Sequence, residues 1–163
     1  MNDPVIKKIL VPLDFSEVTM SVIEHAIYLA RLLGAEVWLL HVVHVPPLAE
    51  ASTWLDPVIS PTMEQDIRQQ MKTTAEAKLK ELAQEFASQG IKAEAAVREG
   101  LPFAEIIKFA EENKSDLIVM GSHGRSGLSH LLIGSVAERV VRRARCNILC
   151  VKPKPIEENK PAG

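Results

Sequence analysis

Residues 116–141 pass from an apolar strand into a helix through a run of glycines, and few folds accommodate such a joint. Asp116-Leu117-Ile118-Val119-Met120 is short and apolar, as expected of a strand covered on both faces. Gly121-Ser122-His123-Gly124-Arg125-Ser126-Gly127 follows, then Leu131-Leu132-Ile133 and Gly134-Ser135-Val136. Ser135 and Glu138 have the spacing of a capping box, and Val136, Val140 and Val141 continue it at helical spacing. The segment therefore reads strand, loop, helix N-terminus. A loop of that kind offers free backbone N–H groups and a positive helix end to an anion, phosphate foremost.

The same alternation runs through the whole chain. Residues 5–11 form a first strand, ended by Pro12, which cannot donate to a ladder. The spacing of Val22, Ala26, Leu29, Ala30 and Leu33 predicts a helix over residues 16–33, closed by Gly34. A second strand covers 36–43. Residues 44–61 carry Pro46, Pro47, Pro57 and Pro61 and form no regular element; so long a loop is either functional or a tolerated insertion. Residues 63–88 make an amphipathic helix striped by Ile67, Met71, Ala75, Leu79, Leu82 and Phe86. Residues 91–98 alternate with a period of two, the mark of a half-exposed edge strand.

A helix over 103–113, the strand before the glycines, a helix ending in Arg142, Arg143 and Arg145, and a strand at 146–151 complete the series. The fold class is α/β: a single domain with a five-stranded, mostly parallel sheet, helices on both faces and right-handed crossovers. The two loops with candidate chemistry follow strands one and four. They line one crevice if the strand order is 3-2-1-4-5, which also leaves strand three at an edge. The domain is expected over residues 1–152, with 153–163 a disordered proline-rich tail.

Three familiar loops are excluded by inspection. No Gly-Lys pair exists for a Walker loop, only Gly124 and Gly127 fit half of G-x-G-x-x-G, and no G-x-S-x-G elbow occurs. What stands is Gly121-x-x-Gly124, nine residues, then Gly134-Ser135. This spacing resembles the ATP-binding signature of the universal stress protein family. Lys8-Ile9-Leu10-Val11-Pro12-Leu13-Asp14-Phe15-Ser16-Glu17, Leu39-Leu40-His41-Val42 and Cys146-Asn147-Ile148-Leu149-Cys150-Val151 resemble that family's first, second and last strands. The resemblance spans nearly the whole chain from Lys8 to Val151. It implies a Rossmann-like sheet of the adenine nucleotide alpha hydrolase type in the order 3-2-1-4-5. It also implies ATP with magnesium or manganese as ligand, and a homodimer through the last strand. Gly121, Gly124, Gly134 and Ser135 would then hold phosphates and ribose through backbone N–H groups and the serine hydroxyl. Pro12, Asp14 and Val42 would line the adenine and ribose side, with Met120 and Val136 flanking.

Plainer roles stay open beside these. The glycines also suit turns and caps. Asp14 fits an N-cap with Glu17 as its partner, or a carboxylate at the sheet edge where ligands bind. Arg125 suits a phosphate or plain solvent, and the default for the neutral His123 ring is to satisfy loop carbonyls. Two functions of different class remain: an ATP-binding regulatory module whose occupancy alters contacts with a protein partner, and a slow ATPase. Fast phosphoryl transfer needs metal ions and dense positive charge at the γ-phosphate. Only Arg125 and His123 stand near, with no loop lysine, so binding is favoured over catalysis. A nucleotide-free dimeric scaffold is the third reading.

Composition excludes other classes. The 163 residues are 47% hydrophobic and 25% charged, which suits one soluble globular domain. A net charge of −2 gives no reason to expect nucleic acid or an anionic membrane as partner. No apolar run spans a bilayer and the polar start is no signal peptide, so the cytoplasm is expected. Cys146 and Cys150 lie roughly 13 Å apart along a strand, too far for a disulfide, and read as small buried apolar residues. Residues 146–151 are apolar on both faces yet fall at an edge, which calls for a second copy to cover them.

Overall fold

The computed structural model describes residues 5–44, 61–123 and 133–153. Five strands, β1 (Lys8–Pro12), β2 (Glu36–Val43), β3 (Ala93–Glu99), β4 (Leu117–Gly121) and β5 (Asn147–Val151), form one parallel sheet in the order β3-β2-β1-β4-β5. That is the order expected from the placement of the two candidate loops. Among the described residues, α1 (Thr19–Leu33), α2 (Pro61–Ser88), α3 (Pro102–Glu112) and α4 (Ser135–Arg143) alternate with the strands. None of these helices is long and apolar enough to cross a membrane.

The period-two alternation of the central strands sorts their side chains between two cores. Ile9, Val11, Val37, Leu39 and Val119 point to one face and pack with Val22, Ile23 and Ala26 of α1 and Leu79 and Phe86 of α2. Leu10, Leu40, Ile118 and Met120 point to the other and pack with Ile106 and Phe109 of α3 and Ala137 and Val140 of α4. Burial on both faces explains why these strands are continuously apolar. β3, at one edge, alternates half-buried and exposed residues, as its sequence predicts.

Several local expectations change. α1 begins at Thr19, three residues later than expected, with Val18 as a side-chain-free N-cap. Asp14 therefore caps no helix. Its Oδ1 accepts the Ser16 N–H at 3.0 Å, closing a turn in which Phe15 adopts a left-handed φ of 59°. In the same way Ser135 is the first residue inside α4, and Gly134 is its N-cap with no side-chain bond. The Ser135–Glu138 capping box is not formed. Glu138 pairs with Arg142 instead, at 3.1 Å. Cys146 and Cys150 are half-buried rather than buried, because β5 has a strand on one side only. Desolvation still raises both thiol pKa values.

α2 is longer than the sheet it crosses: its 28 residues extend about 42 Å. Its buried positions begin only at Ala75, so the first turns overhang the sheet edge and leave Ile67 43% exposed. Arg68, on that overhang, is hydrogen-bonded to Glu64 and to Glu99 at the end of β3. Charges also gather at the opposite edge of the sheet. Lys92 reaches Glu36 at 2.9 Å and Lys8 reaches it at 3.5 Å. The Lys92 hydrogen bond, outweighing desolvation and aided by Lys8, holds the Glu36 carboxyl below its ordinary pKa.

Because Phe86 is fully buried while Tyr28 of α1 is 66% exposed, the two aromatic residues differ sharply in worth. Urea denaturation is expected to show Phe86→Ala losing about 3–5 kcal/mol. Tyr28→Ala is expected to stay within about 0.5 kcal/mol of the parent.

Candidate functional site

The strand order reverses direction at β1, so the connections after β1 and β4 leave the sheet toward opposite faces and a crevice opens between them. A cavity of about 400 Å³ lies there, at the C-terminal ends of β1, β2 and β4. This falls in the size range of small-molecule sites, roughly 300–1,000 Å³. Pro12 and Asp14 enter it from the end of β1 and Val42 from β2. Met120, Gly121 and His123 line it from β4 and the start of the glycine segment. Gly134, Ser135 and Val136 line it from the first turn of α4. Nine residues singled out from the sequence thus border one space. Gly124 and Arg125 lie outside the described residues, as do 45–60 and 154–163.

The electrostatics come from backbone. The N-termini of α1, α3 and α4 all meet this cavity, through Thr19, Pro102 and Ser135. None of the three carries a side-chain cap. Their aligned peptide dipoles turn partial positive charge toward the cavity, although the Thr19 N–H is taken by the Ser16 carbonyl and Pro102 has no N–H to offer. Among the described lining residues there is in fact no lysine or arginine. Asp14 is the one carboxylate among them. The walls between are apolar: Pro12, Val42, Ile106, Met120 and Val136. An apolar slot bounded by three anion-attracting helix ends suits a flat ring system joined to an anionic group.

Gly121 shows how tightly the two halves approach. A Cβ on it would lie 3.1 Å from the His123 carbonyl oxygen and 3.3 Å from Cγ1 of Val18. The strand-four loop and the start of α1 touch only because that atom is absent. His123 does not serve loop carbonyls by its Nδ1, which lies 2.8 Å from the Ser122 hydroxyl. Its Nε2 is buried and meets no partner among the described residues, and the Thr19 hydroxyl is in the same condition. Both atoms belong to residues that line the cavity.

Sequence reasoning missed other residues on this wall, Thr19, His41, Met71 and Ile106 among them. A signal for His41 existed. On β2 it shares a face with Val37, Leu39 and Val43, so it is a polar interruption of an otherwise buried row. Among the described residues, no group of three His, Cys, Asp or Glu side chains is placed to hold a metal.

The universal stress protein profile matches residues 6–152. The chain belongs to the universal stress protein family. It is 41% identical over 155 residues to universal stress protein MJ0531 of Methanocaldococcus jannaschii, covering 93% of this chain and 85% of that one. The solved structure of MJ0577 from the same organism superposes with a TM-score of 0.78 at 32% identity, covering 92% of this chain and 98% of that one. Two more distant members share the fold at 22% identity each. One was solved with cAMP (TM-score 0.61, covering 90% and 97%) and one, from Archaeoglobus fulgidus, with dAMP (TM-score 0.59, covering 91% and 99%). Those two members of the family thus hold adenine nucleotides.

The close approach at Gly121 carries a stability consequence. Gly121→Ala brings a methyl group within 3.1 Å of the His123 carbonyl oxygen, and overpacking of this kind costs about 1–3 kcal/mol where that backbone does not yield. Denaturant titration is expected to show that loss while the far-ultraviolet spectrum stays that of the parent.

Proposed function

We propose that this universal stress protein binds ATP in the cavity at the end of β1 and β4, and that occupancy, rather than turnover, is its output. The observation that carries the reading is the meeting of three helix N-termini without side-chain caps on an apolar-walled cavity with no lysine or arginine among its described lining. The residues fit the nucleotide. Gly121, Gly134 and Ser135 would offer backbone N–H groups and a hydroxyl to ribose and phosphates. Pro12, Val42, Met120 and Val136 would cover the base, with Asp14 on the ribose side. The cyclic and deoxy adenosine monophosphates held by the two distant members are compatible with the same slot. A magnesium or manganese ion would enter on the phosphates themselves. The cytoplasm, where ATP is plentiful, is the matching compartment.

Binding without turnover follows from what the site can stabilise. Helix ends and glycine backbone grip a triphosphate much as they would grip its transition state, and uniform binding lowers no barrier. Ordering the walls around the ligand instead shifts the conformational population that a protein partner meets. Isothermal calorimetry should show ATP binding to the parent protein and a large loss in Gly134→Val, where a branched side chain stands at the N-cap of α4. ATP and a non-hydrolysable analogue should protect the amides of Gly121, Ser122 and the first turn of α4 alike. No binding by the parent, or steady hydrolysis above about 1 s⁻¹, the ordinary enzyme range, contradicts the proposal.

The same reading includes a homodimer. β5 pairs with β4 on one side, and its Ile148, Leu149 and Cys150 are only half-buried. Two copies meeting edge to edge about a two-fold axis would cover that apolar edge. Sedimentation at micromolar concentration should give a dimeric mass for the parent and a monomeric one for Ile148→Lys. A parent that sediments as a monomer counts against it.

A further inference from the structure

Asp14 is the single carboxylate among the described cavity-lining residues, and its position depends on a short irregular turn between β1 and α1. One side chain from another strand grips that turn on both sides. Nδ1–H of His41 donates to the Leu13 carbonyl at 2.7 Å, just before Asp14. The carbonyl can only accept, so Nδ1 carries the proton. Just after Asp14, the Phe15 ring lies on the His41 imidazole with centroids 4.7 Å apart. On the ring's other contact, Nζ of Lys78 from α2 stands 4.9 Å from the Phe15 centroid. Phe15 is held there at φ 59°, a conformation unfavourable for a bulky side chain, so its surroundings must over-determine it.

The ladder shows what His41 displaces. Glu36 N–H bonds the Lys7 carbonyl and Leu13 N–H bonds the Leu40 carbonyl, with Pro12 opposite Leu40 in register. Continued by one rung, that parallel pattern would place Val42 N–H on the Leu13 carbonyl. Among the described residues this rung is not made, and the carbonyl goes to the His41 side chain. β1 can then leave the sheet at Leu13 with its last acceptor satisfied, and the backbone of Val42 is left beside the cavity. His41 is 8% exposed, so its donor is lost to little solvent competition.

We propose that His41 is a positioning residue of the ligand site: by occupying the Leu13 carbonyl and bracing Phe15 it holds Asp14 in the cavity. This rests on the ATP reading above for its effect on affinity, but the effect on the turn stands apart from any ligand. Two substitutions separate the two grips. His41→Asn keeps an N–H at the same number of bonds from the backbone as Nδ1 and loses the ring. His41→Phe keeps a ring against Phe15 and leaves the buried Leu13 carbonyl unpaired.

In the ligand-free protein, amide exchange at Ser16, whose N–H bonds Asp14, should quicken in His41→Phe and stay near parental in His41→Asn, with β4 amides unchanged in both. ATP affinity should fall at least about tenfold in His41→Phe, the scale of a buried acceptor left unsatisfied. It should return to within about threefold of the parent in His41→Asn. In an Asp14→Ala background His41→Phe should cost no further affinity, because the two residues act as one unit. His41→Gln, whose amide sits one bond further out, serves the same comparison if the Phe variant does not fold. Unchanged Ser16 exchange in His41→Phe, or in His41→Gln where the Phe variant does not fold, overturns the proposal, as do additive losses with Asp14→Ala. A parent that fails to bind ATP removes the function proposed above, and Ser16 exchange still decides the role of His41.

Discussion

β1 is hydrogen-bonded along both edges, to β2 over five residue pairs and to β4 at Ile9 and Leu10, and each neighbour runs parallel to it. Parallel neighbours cannot be joined by hairpins, so every connection must cross a face of the sheet, and right-handed crossovers fix which face. From β1 the chain builds outward to β2 and β3 on one side, then returns to place β4 and β5 on the other. The helices consequently divide, α1 and α2 against one face and α3 and α4 against the other. The gap where they part, above the ends of β1 and β4, is left unfilled by the side chains of the described residues. The cavity is thus a product of topology, and the residues around it only tune what it accepts.

The N-terminal end of the sheet and the cavity at its other end handle charge in different ways. At the N-terminal edge, side chains neutralise one another: Lys8 and Lys92 converge on Glu36, and Asp116 Oδ2 accepts the N–H groups of Lys7 and Lys8 at 2.9 Å each. Around the cavity at the C-terminal edge, helix N-termini lack side-chain caps and the described lining holds no lysine or arginine. Backbone donors are rigid and lose no side-chain entropy when an anion docks. Such a site is preorganised for holding a charged ligand, yet offers no lysine or arginine among its described lining to neutralise charge as it develops. That contrast is the physical ground for reading it as a sensor of occupancy.

α2 connects this site to the outside of the molecule. Met71 borders the cavity, Lys78 stands over Phe15 in the turn that carries Asp14, and Arg68 ties the overhang to Glu99 of β3. The overhanging turns are anchored by few buried residues, since burial starts at Ala75. Segments with sparse apolar contact sit at the low-stability end of a fold and respond first to a change beneath them.

The sequence by itself determined the alternation of elements, the strand order and nine of the residues that border the cavity. The alternation depends on local rules, namely apolar period, turn chemistry, glycine spacing and proline at the end of β1, whereas the strand order and the nine residues also rest on the resemblance to the family. Where a feature depends on what packs across a gap, the sequence was silent or misleading. Asp14 and Ser135 fit cap patterns, but the approach of β4 at Gly121 and the bonding of Leu13 set where α1 and α4 start. Cys146 and Cys150 looked buried because strand patterning does not say which strand lacks a neighbour. His41 was just one residue of an apolar strand until β1 ended opposite it, 28 positions earlier in the chain, and needed its side chain as the last hydrogen-bond donor. Only the tertiary structure decides such matters, because a backbone group must be satisfied by whatever the fold brings to it.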